Sequence, residues 1–221
     1  MMGVMVAGKG MYAYLVRAGL GGGSNLACTC LYLTLLELVQ QKQPIGAHIN
    51  VLLDNTGAEN KNNYMIYFLA WLVQRGVCDE ASFFCMMVGH TYTELDQSFS
   101  TLLTQMGQVA MYTVKDMMDR IYQYLQPYDC RDVEDLHCLW DWKAFFAPHT
   151  GTLQGFGTNQ FGSGMHEFLL RKDRNGQVMS ASPRRTQHAR TTPCTYACLF
   201  VNIGASLDAQ IFSGNDVAAR R

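Results

Sequence analysis

The sequence predicts an α/β fold in which a mixed sheet is flanked by helices, and three observations support it. Strand-like and helix-like segments alternate three times between residues 1 and 110. Within residues 48–54, Ile49, Val51, Leu52 and Leu53 form a nearly continuous apolar run, which is typical of a strand buried on both faces. The intervening segments are long enough to be helical crossovers between parallel strands. The pattern therefore predicts a mostly parallel arrangement with right-handed crossovers.

The chain begins with a predicted hairpin and helix. Residues 11–19 are aromatic and β-branched, which favours a strand, and residues 1–7 suit a hairpin partner that turns at "GKG". A glycine-rich turn follows, and Ser24 is the predicted N-cap of a helix over residues 26–41. Leucines recur at helical spacing within that helix.

The strand at 48–54 is followed by three more helices and one more strand. Residues 64–74 carry apolar side chains at helical spacing, and residues 81–89 predict a second buried strand. Thr91 and Glu94 form the T-x-x-E pattern of a capping box at the start of the next helix. A further helix is predicted over residues 113–125. The predicted core face of the capped helix is Leu95, Phe99, Leu102 and Met106.

The character of the chain changes after Pro127. An acidic and aromatic segment ends in "WDWKAFF", and a hairpin is predicted to turn at Asn175-Gly176. The last stretch is basic, and its end is expected to fray. We therefore divide the chain into a domain over residues 1–126 and a C-terminal α/β extension over residues 127–221, with a hairpin and a flexible tail.

Composition narrows the classes of partner. The formal net charge is −1 and 16% of residues are charged, so no long-range attraction to nucleic acid or an anionic membrane is predicted. No apolar run reaches the roughly 18 residues of a membrane span. Any contact with a polyanion would therefore be local, and no membrane partner is expected.

The eight cysteines are predicted to be reduced thiols packed as small apolar side chains in an intracellular protein, with nucleus and cytoplasm not distinguished. Their spacing does not match the two-residue gap typical of zinc sites. A composite zinc site from His188, Cys194 and Cys198 stays as an alternative.

Polar residues gather where the predicted strands end. Asp54 follows the first buried strand, His90 ends the second, and Asp96 lies on the helix after it. In open α/β sheets functional groups gather at the carboxyl ends of strands, and two aspartates there suit a divalent cation. We therefore expect the carboxylates of Asp54 and Asp96 within about 8 Å of each other, with His90 beside them.

Each of these residues also has a structural explanation. Asp54 could cap the following turn, Asp96 could be a solvated helix residue, and His90 could form a hydrogen bond at the strand end. Glu94 is assigned to the capping box alone. The turn at Gly19-x-Gly21 offers a rival hypothesis, because it resembles half of a dinucleotide-binding fingerprint, but the acidic residue expected near position 40 is missing.

Two motifs connect the chain with a known family. The turn after Leu53 reads D-N-x-x-x-E-N-K-N, and the later helix begins G-H-T-x-x-x-x-D-x-x-F. With the strand and helix over 12–41 and the later "WDWKAF", they resemble a transposon-derived family of unknown function, across residues 12–170. That family is similar to the ribonuclease-H-like transposase and integrase superfamily.

The resemblance implies metal-dependent phosphodiester chemistry, in which three carboxylates hold two Mg²⁺ or Mn²⁺ ions. Asp54 and Asp96 match the second and third carboxylates, as catalytic and metal-binding residues. The superfamily's first carboxylate lies on a central strand, ahead of the segment that matches residues 11–19. The sequence has no aspartate or glutamate before Glu37, so the set is incomplete and the central strand is expected to be missing. The auxiliary residues implied at the site are Asn55, Glu59, Asn60, Lys61 and His90.

Two functions stay open on these grounds. One is a remnant or domesticated transposase-like domain that acts on DNA, binds Mg²⁺ or Mn²⁺ weakly and is inactive as this chain. The other is a non-catalytic module that binds nucleic acid or protein. The missing strand is also expected to leave the edge of residues 49–53 exposed, which would favour self-association.

Overall fold

The computed structural model describes residues 1–53, 63–85, 94–107, 110–149, 167–181 and 200–202. The strands are β1 Met2–Val6, β2 Gly10–Val16, β3 His48–Leu53, β4 Glu80–Cys85, β5 Cys130–Leu136, β6 Glu167–Lys172, β7 Val178–Ala181 and β8 Phe200–Asn202. The helices are α1 Ser24–Gln40, α2 Asn63–Arg75, α3 Glu94–Met106, α4 Val114–Leu125 and α5 Trp142–Phe146. The mixed α/β class predicted from the sequence is confirmed.

The first sheet has the strand order β1-β2-β5. β1 and β2 form the predicted antiparallel hairpin, which turns through Gly8 and Gly10, both at positive φ. β5 lies parallel to β2 on the other side, and the Met11 amide donates to the Asp129 carbonyl at 2.9 Å where the two strands begin to pair. Both edges of β2 are therefore occupied.

The second sheet has the order β7-β6-β4-β3-β8. β3 and β4 are parallel and are connected through α2, as predicted, whereas the other three pairings are antiparallel. The sequence led us to expect mostly parallel strands that included residues 11–19. That expectation is wrong for the described part of the chain, because β2 pairs with β1 and β5 and not with β3.

The predicted exposed edge at residues 49–53 is covered over its first half. β8 pairs antiparallel with His48–Asn50, on the side of β3 that faces away from β4. β8 also approaches β1, so the two sheets meet at these two strands. The expectation of an open edge is thus wrong at His48–Asn50, where the backbone groups of β3 have a partner strand.

α1 and α2 form the larger core with the sheets, and almost every apolar side chain on their inner faces is buried. α1 begins one residue earlier than the Ser24 cap predicted. Gly23 is the N-cap, at φ 77°, and Ser24 is already helical and 1% exposed. A glycine takes this backbone conformation without steric cost, which explains why the helix begins there.

α3 and α4 form a smaller core against the first sheet. On the predicted face of α3, Leu102 is fully buried, and Leu95, Phe99 and Met106 pack around it. Thr91, the other half of the predicted capping box, lies outside the described residues. A reciprocal capping box is present instead at α4, where Thr113 and Asp116 satisfy each other's backbone amides.

The strands after residue 126 add to both sheets. β5 joins the first sheet, and β6 pairs with β4 in the second. The predicted hairpin at Asn175-Gly176 is confirmed as the β6–β7 connection, with Gly176 at φ 76°. The division of the chain at residue 126 stays a prediction.

Candidate functional site

The candidate site is predicted at the carboxyl ends of β3 and β4, the two parallel strands of the second sheet. β3 and β4 are in register, and Leu53 and Cys85 are the last pair of the ladder among the described residues. Ile49 and Val51 lie earlier in β3, and both side chains are fully buried, so they hold the strand in the core. The described ends of β3 and β4 therefore lie side by side, and the segments that carry the predicted motifs follow them in the sequence.

Most of the predicted site residues follow that edge and lie outside the described residues. They are Asp54, Asn55, Glu59, Asn60, Lys61 and His90. Their mutual distances, and the expected separation of about 8 Å between Asp54 and Asp96, stay predictions.

Asp96 is the one predicted site residue in the described part of the chain. It lies in the first turn of α3 and is exposed to solvent. Its neighbours hold the helix in place: Leu95 and Phe99 lie directly over Gly3 of β1, and the Ser98 hydroxyl, which is fully buried, donates to the Leu95 carbonyl at 2.7 Å. The first turn of α3 is thus anchored on β1, while the Asp96 carboxylate is accessible to a ligand.

A group of acidic residues that the sequence did not single out lies on the first sheet. Asp132 and Glu134 of β5 stand beside Tyr12 and Tyr14 of β2, and Glu37 of α1 faces them. Burial raises the pKa of Glu134, and the charges of Asp132 and Glu37 raise it further. The alternation of acidic residues along β5 is the sequence pattern that indicates one shared face.

These carboxylates do not form a metal site. Within the described ranges, no three or more histidine, cysteine, aspartate or glutamate side chains are arranged to hold a metal ion. The same ranges contain no helix long and apolar enough to cross a membrane.

The "WDWKAF" segment, which carries part of the family resemblance, connects α5 to α1. The Thr29 hydroxyl of α1 accepts from the indole Nε1 of Trp142 at 3.1 Å and from the Trp140 amide at 3.3 Å. Asp141 caps α5 by accepting from the Ala144 amide at 3.1 Å, and it also accepts from the Asn25 side chain. These contacts give the motif a structural role, in which it packs α5 against α1 and caps α5. They do not indicate a catalytic role.

Four of the described cysteines are buried and free, as predicted for packed thiols, whereas Cys138 is exposed and the prediction is wrong there. Burial raises the pKa of the Cys28 and Cys30 thiols of α1. The same cause raises the pKa of Cys78 to about 12 and that of Cys130 to about 11. These thiols are therefore protonated and unreactive near neutral pH. Cys194 and Cys198 of the alternative zinc site lie outside the described residues.

The described residues define a mixed α/β fold in which two parallel strands have their described carboxyl ends side by side. The family model described as "Domain of unknown function (DUF7869)" matches residues 1–188. The chain belongs to this family. No curated protein and no solved structure matches this chain.

Proposed function

We propose that this chain is a transposase-like domain of ribonuclease-H type, which binds a divalent cation weakly and does not cleave DNA by itself. The observation that carries the proposal is the register of β3 and β4, whose last described pair is Leu53 and Cys85. Asp54 follows directly after this pair, and Asp96 stands in the first turn of the next helix, α3. Two carboxylates on adjacent segments are hard oxygen ligands of the kind that Mg²⁺ and Mn²⁺ prefer.

The amide-rich turn supports the same proposal. Asn55, Asn60 and Lys61 follow Asp54 in the D-N-x-x-x-E-N-K-N motif, and His90 precedes the helix of Asp96. Amides can hold the backbone of such a turn, and a lysine can contact a phosphate of bound DNA. In this proposal the turn positions a DNA backbone against the cation.

The lack of cleavage follows from the number of carboxylates. Two-metal phosphoryl transfer uses a carboxylate that bridges both ions, and this sequence has no aspartate or glutamate before Glu37. With Asp54 and Asp96 alone, a second ion has too few ligands to clamp the attacking and leaving oxygens. In this proposal the three-carboxylate chemistry is therefore incomplete in this chain.

The alternative function is a non-catalytic module that binds nucleic acid or protein. The net charge of −1 favours it, because domains that bind DNA for catalysis usually present a basic face. Only the transposase-like function requires a cation held by Asp54 and Asp96.

We expect weak Mn²⁺ or Mg²⁺ binding, with a dissociation constant on the order of 10⁻³ M, in an isothermal titration of the full chain. Asp54→Asn and Asp96→Asn should each abolish it, since each removes one of two charged ligands. Asp119→Asn is the matched control, because Asp119 is an exposed helix carboxylate on α4 paired with Lys115. Tight zinc binding that survives both site substitutions would contradict the proposal and point to cysteine ligands.

We expect the purified chain not to nick or join supercoiled plasmid DNA with Mg²⁺ or Mn²⁺ beyond the level of a protein-free reaction. The reason is the missing bridging carboxylate. Gel separation of supercoiled, nicked and linear plasmid measures the result. Metal-dependent nicking that disappears in Asp54→Asn would show that the carboxylates present are sufficient for cleavage.

A further inference from the structure

The outer edge of β5 is unpaired in the described part of the chain. β5 is hydrogen-bonded to β2 on one side, and none of the other described strands pairs with its second side. The pairing with β2 is regular from Asp132 to Leu136, so this part of the edge is a regular strand. Alternate amides and carbonyls of an edge strand point outward and are a template for a further strand. β5 therefore offers a place where another chain segment can be added to the first sheet.

The side chains along this edge are acidic on the face that packs toward α1. Asp132 and Glu134 are two residues apart on β5 and so project to the same face, where Glu37 of α1 adds a third carboxylate. The salt bridge of this strand is made elsewhere, by Asp135 with Arg17 at 2.7 Å. Within the described residues, none of the three carboxylates forms a salt bridge. We name Asp132, Glu134 and Glu37 the acidic face.

The polar groups of the acidic face do not satisfy one another. Asp132 accepts from the Val133 amide at 2.8 Å, and Glu37 accepts from the Gln41 side chain at 2.7 Å. Tyr12 stands beside Asp132 on β2, is 2% exposed, and its hydroxyl has no hydrogen-bond partner in the described part of the chain. Burial raises the pKa of Tyr12, and the charges of Glu37 and Asp132 raise it further, so the hydroxyl lies near both carboxylates. The negative charge of this face is thus left without a cation among the described residues.

The pattern of charge selects among the possible occupants of the edge. A second copy of β5, paired antiparallel about Val133, would set Asp132 directly against Glu134, and like charges in that position destabilise a sheet. Nucleic acid is disfavoured for the same reason, since its phosphates are negative. A strand with lysine or arginine at alternate positions has the complementary pattern. Its basic side chains would start about 5 Å from those of Asp132 and Glu134.

We propose that the edge of β5 binds an extended basic segment of a partner protein, which adds to the first sheet as a fourth strand and sets alternate lysine or arginine side chains against Asp132 and Glu134. Hydrogen bonds to the outward backbone groups of β5 supply affinity, and the spacing of the basic residues supplies specificity. The inference goes beyond the proposed cation site, because it requires neither Asp54 nor Asp96.

The test is a fluorescence-anisotropy titration of the full chain with the labelled peptide T-V-K-V-K-V-K-T. We expect a dissociation constant on the order of 10⁻⁴ M at low ionic strength, which weakens as salt is added. The peptide T-V-V-V-K-K-K-T has the same composition, but its lysines alternate between the two faces of a strand. It should bind at least about threefold more weakly.

Two methylated peptides test strand addition itself. N-methylation of the three lysine amides blocks one edge of the peptide strand, and N-methylation of the three valine amides blocks the other. Because strand addition uses one edge, one of these peptides should lose binding and the other should keep it. Hydrogen exchange gives the matching readout on the protein, where the outward amides of Cys130–Leu136 should become protected when the peptide is bound.

Matched variants locate the binding surface. Asp132→Asn and Glu134→Gln should each reduce affinity for T-V-K-V-K-V-K-T at least about threefold, with folding checked by circular dichroism. Asp119→Asn is the control, because it removes an exposed carboxylate of α4, away from β5, and it should leave affinity unchanged. Asp54→Asn combined with Asp96→Asn should also leave affinity unchanged, so failure of the cation proposal and failure of this one are distinguishable.

Five outcomes would overturn the proposal. The first three are no binding of T-V-K-V-K-V-K-T at millimolar concentration, equal binding of the two methylated peptides, and unchanged affinity when Asp132→Asn and Glu134→Gln are combined in a folded chain. The fourth is a concentration-dependent dimer that excludes the peptide, which would identify a second copy as the occupant. The fifth is slow exchange of the outward β5 amides in the free monomer without peptide binding, which would identify a segment of this chain.

Discussion

Replacing Gly10 with alanine is expected to lower the free energy of unfolding by about 2–5 kcal/mol. Gly10 has a φ of 101°, which costs an L-residue roughly 1–2 kcal/mol. A Cβ atom there would overlap the Asp129 carbonyl oxygen and lie 2.7 Å from Nε of Arg131. That carbonyl cannot move away freely, because it accepts from the Met11 amide. The steric conflict adds roughly 1–3 kcal/mol, and urea denaturation would measure the sum.

Gly8→Ala is the matched control for this substitution. Gly8 lies in the same hairpin turn at φ 69°, and a Cβ atom there would have no atom within 4 Å. It should therefore lose only the conformational part, about 1–2 kcal/mol. Equal losses at the two positions would contradict the close approach of β5 to the hairpin.

Replacing Trp142 with alanine is expected to lower the free energy of unfolding by about 3–5 kcal/mol, the range for removing a buried aromatic side chain. Trp142 is 3% exposed, and its ring lies 5.0 Å from Phe68 and 6.0 Å from Phe146, measured between centroids. Its indole also donates to Thr29. The substitution would leave a cavity where α1, α2 and α5 meet, and chemical denaturation would measure the loss.

Two further variants identify the source of that loss. Trp142→Phe keeps one aromatic ring and removes the pyrrole half of the indole together with its N–H, so a loss smaller than that of Trp142→Ala is expected. Tyr122→Ala changes a 44% exposed aromatic side chain on α4 and should cost within about 0.5 kcal/mol. A loss below about 1 kcal/mol for Trp142→Ala would show that the "WDWKAF" motif does not serve packing.

Local patterns predicted the elements well, because each depends on neighbours a few residues away. Three examples of such local patterns are the apolar run of β3, the helical spacing of leucines in α1 and the Asn175-Gly176 turn. The arrangement of the strands into two sheets depends on a pairing between β2 and β5, which are far apart in the chain. No periodicity within β2 specifies which strand will occupy its edge, so one sheet could not be distinguished from two.

For the candidate site, the sequence predicted only the end of the strands at which its residues gather. The sequence places Asp54 and His90 at the ends of two successive predicted strands, and the described ends of β3 and β4 lie side by side. The cavity of about 470 Å³ between α2, α5 and the β6–β7 hairpin could not be predicted in the same way. Trp71 and Arg75 are four residues apart on α2, but Phe145 and Gln177 reach them only through the packing of α5 and the β6–β7 hairpin.

The ribosome must add every residue from Arg17 to Asp129 before β5 can emerge to pair with β2. Until then the β1–β2 hairpin has no third strand, and an isolated two-stranded hairpin is marginally stable in water. The β3–α2–β4 unit closes a much shorter loop, so it can condense earlier at a lower entropic cost. We therefore expect the second sheet to begin folding while the N-terminal hairpin still exchanges its amide hydrogens freely, and the first sheet to form late.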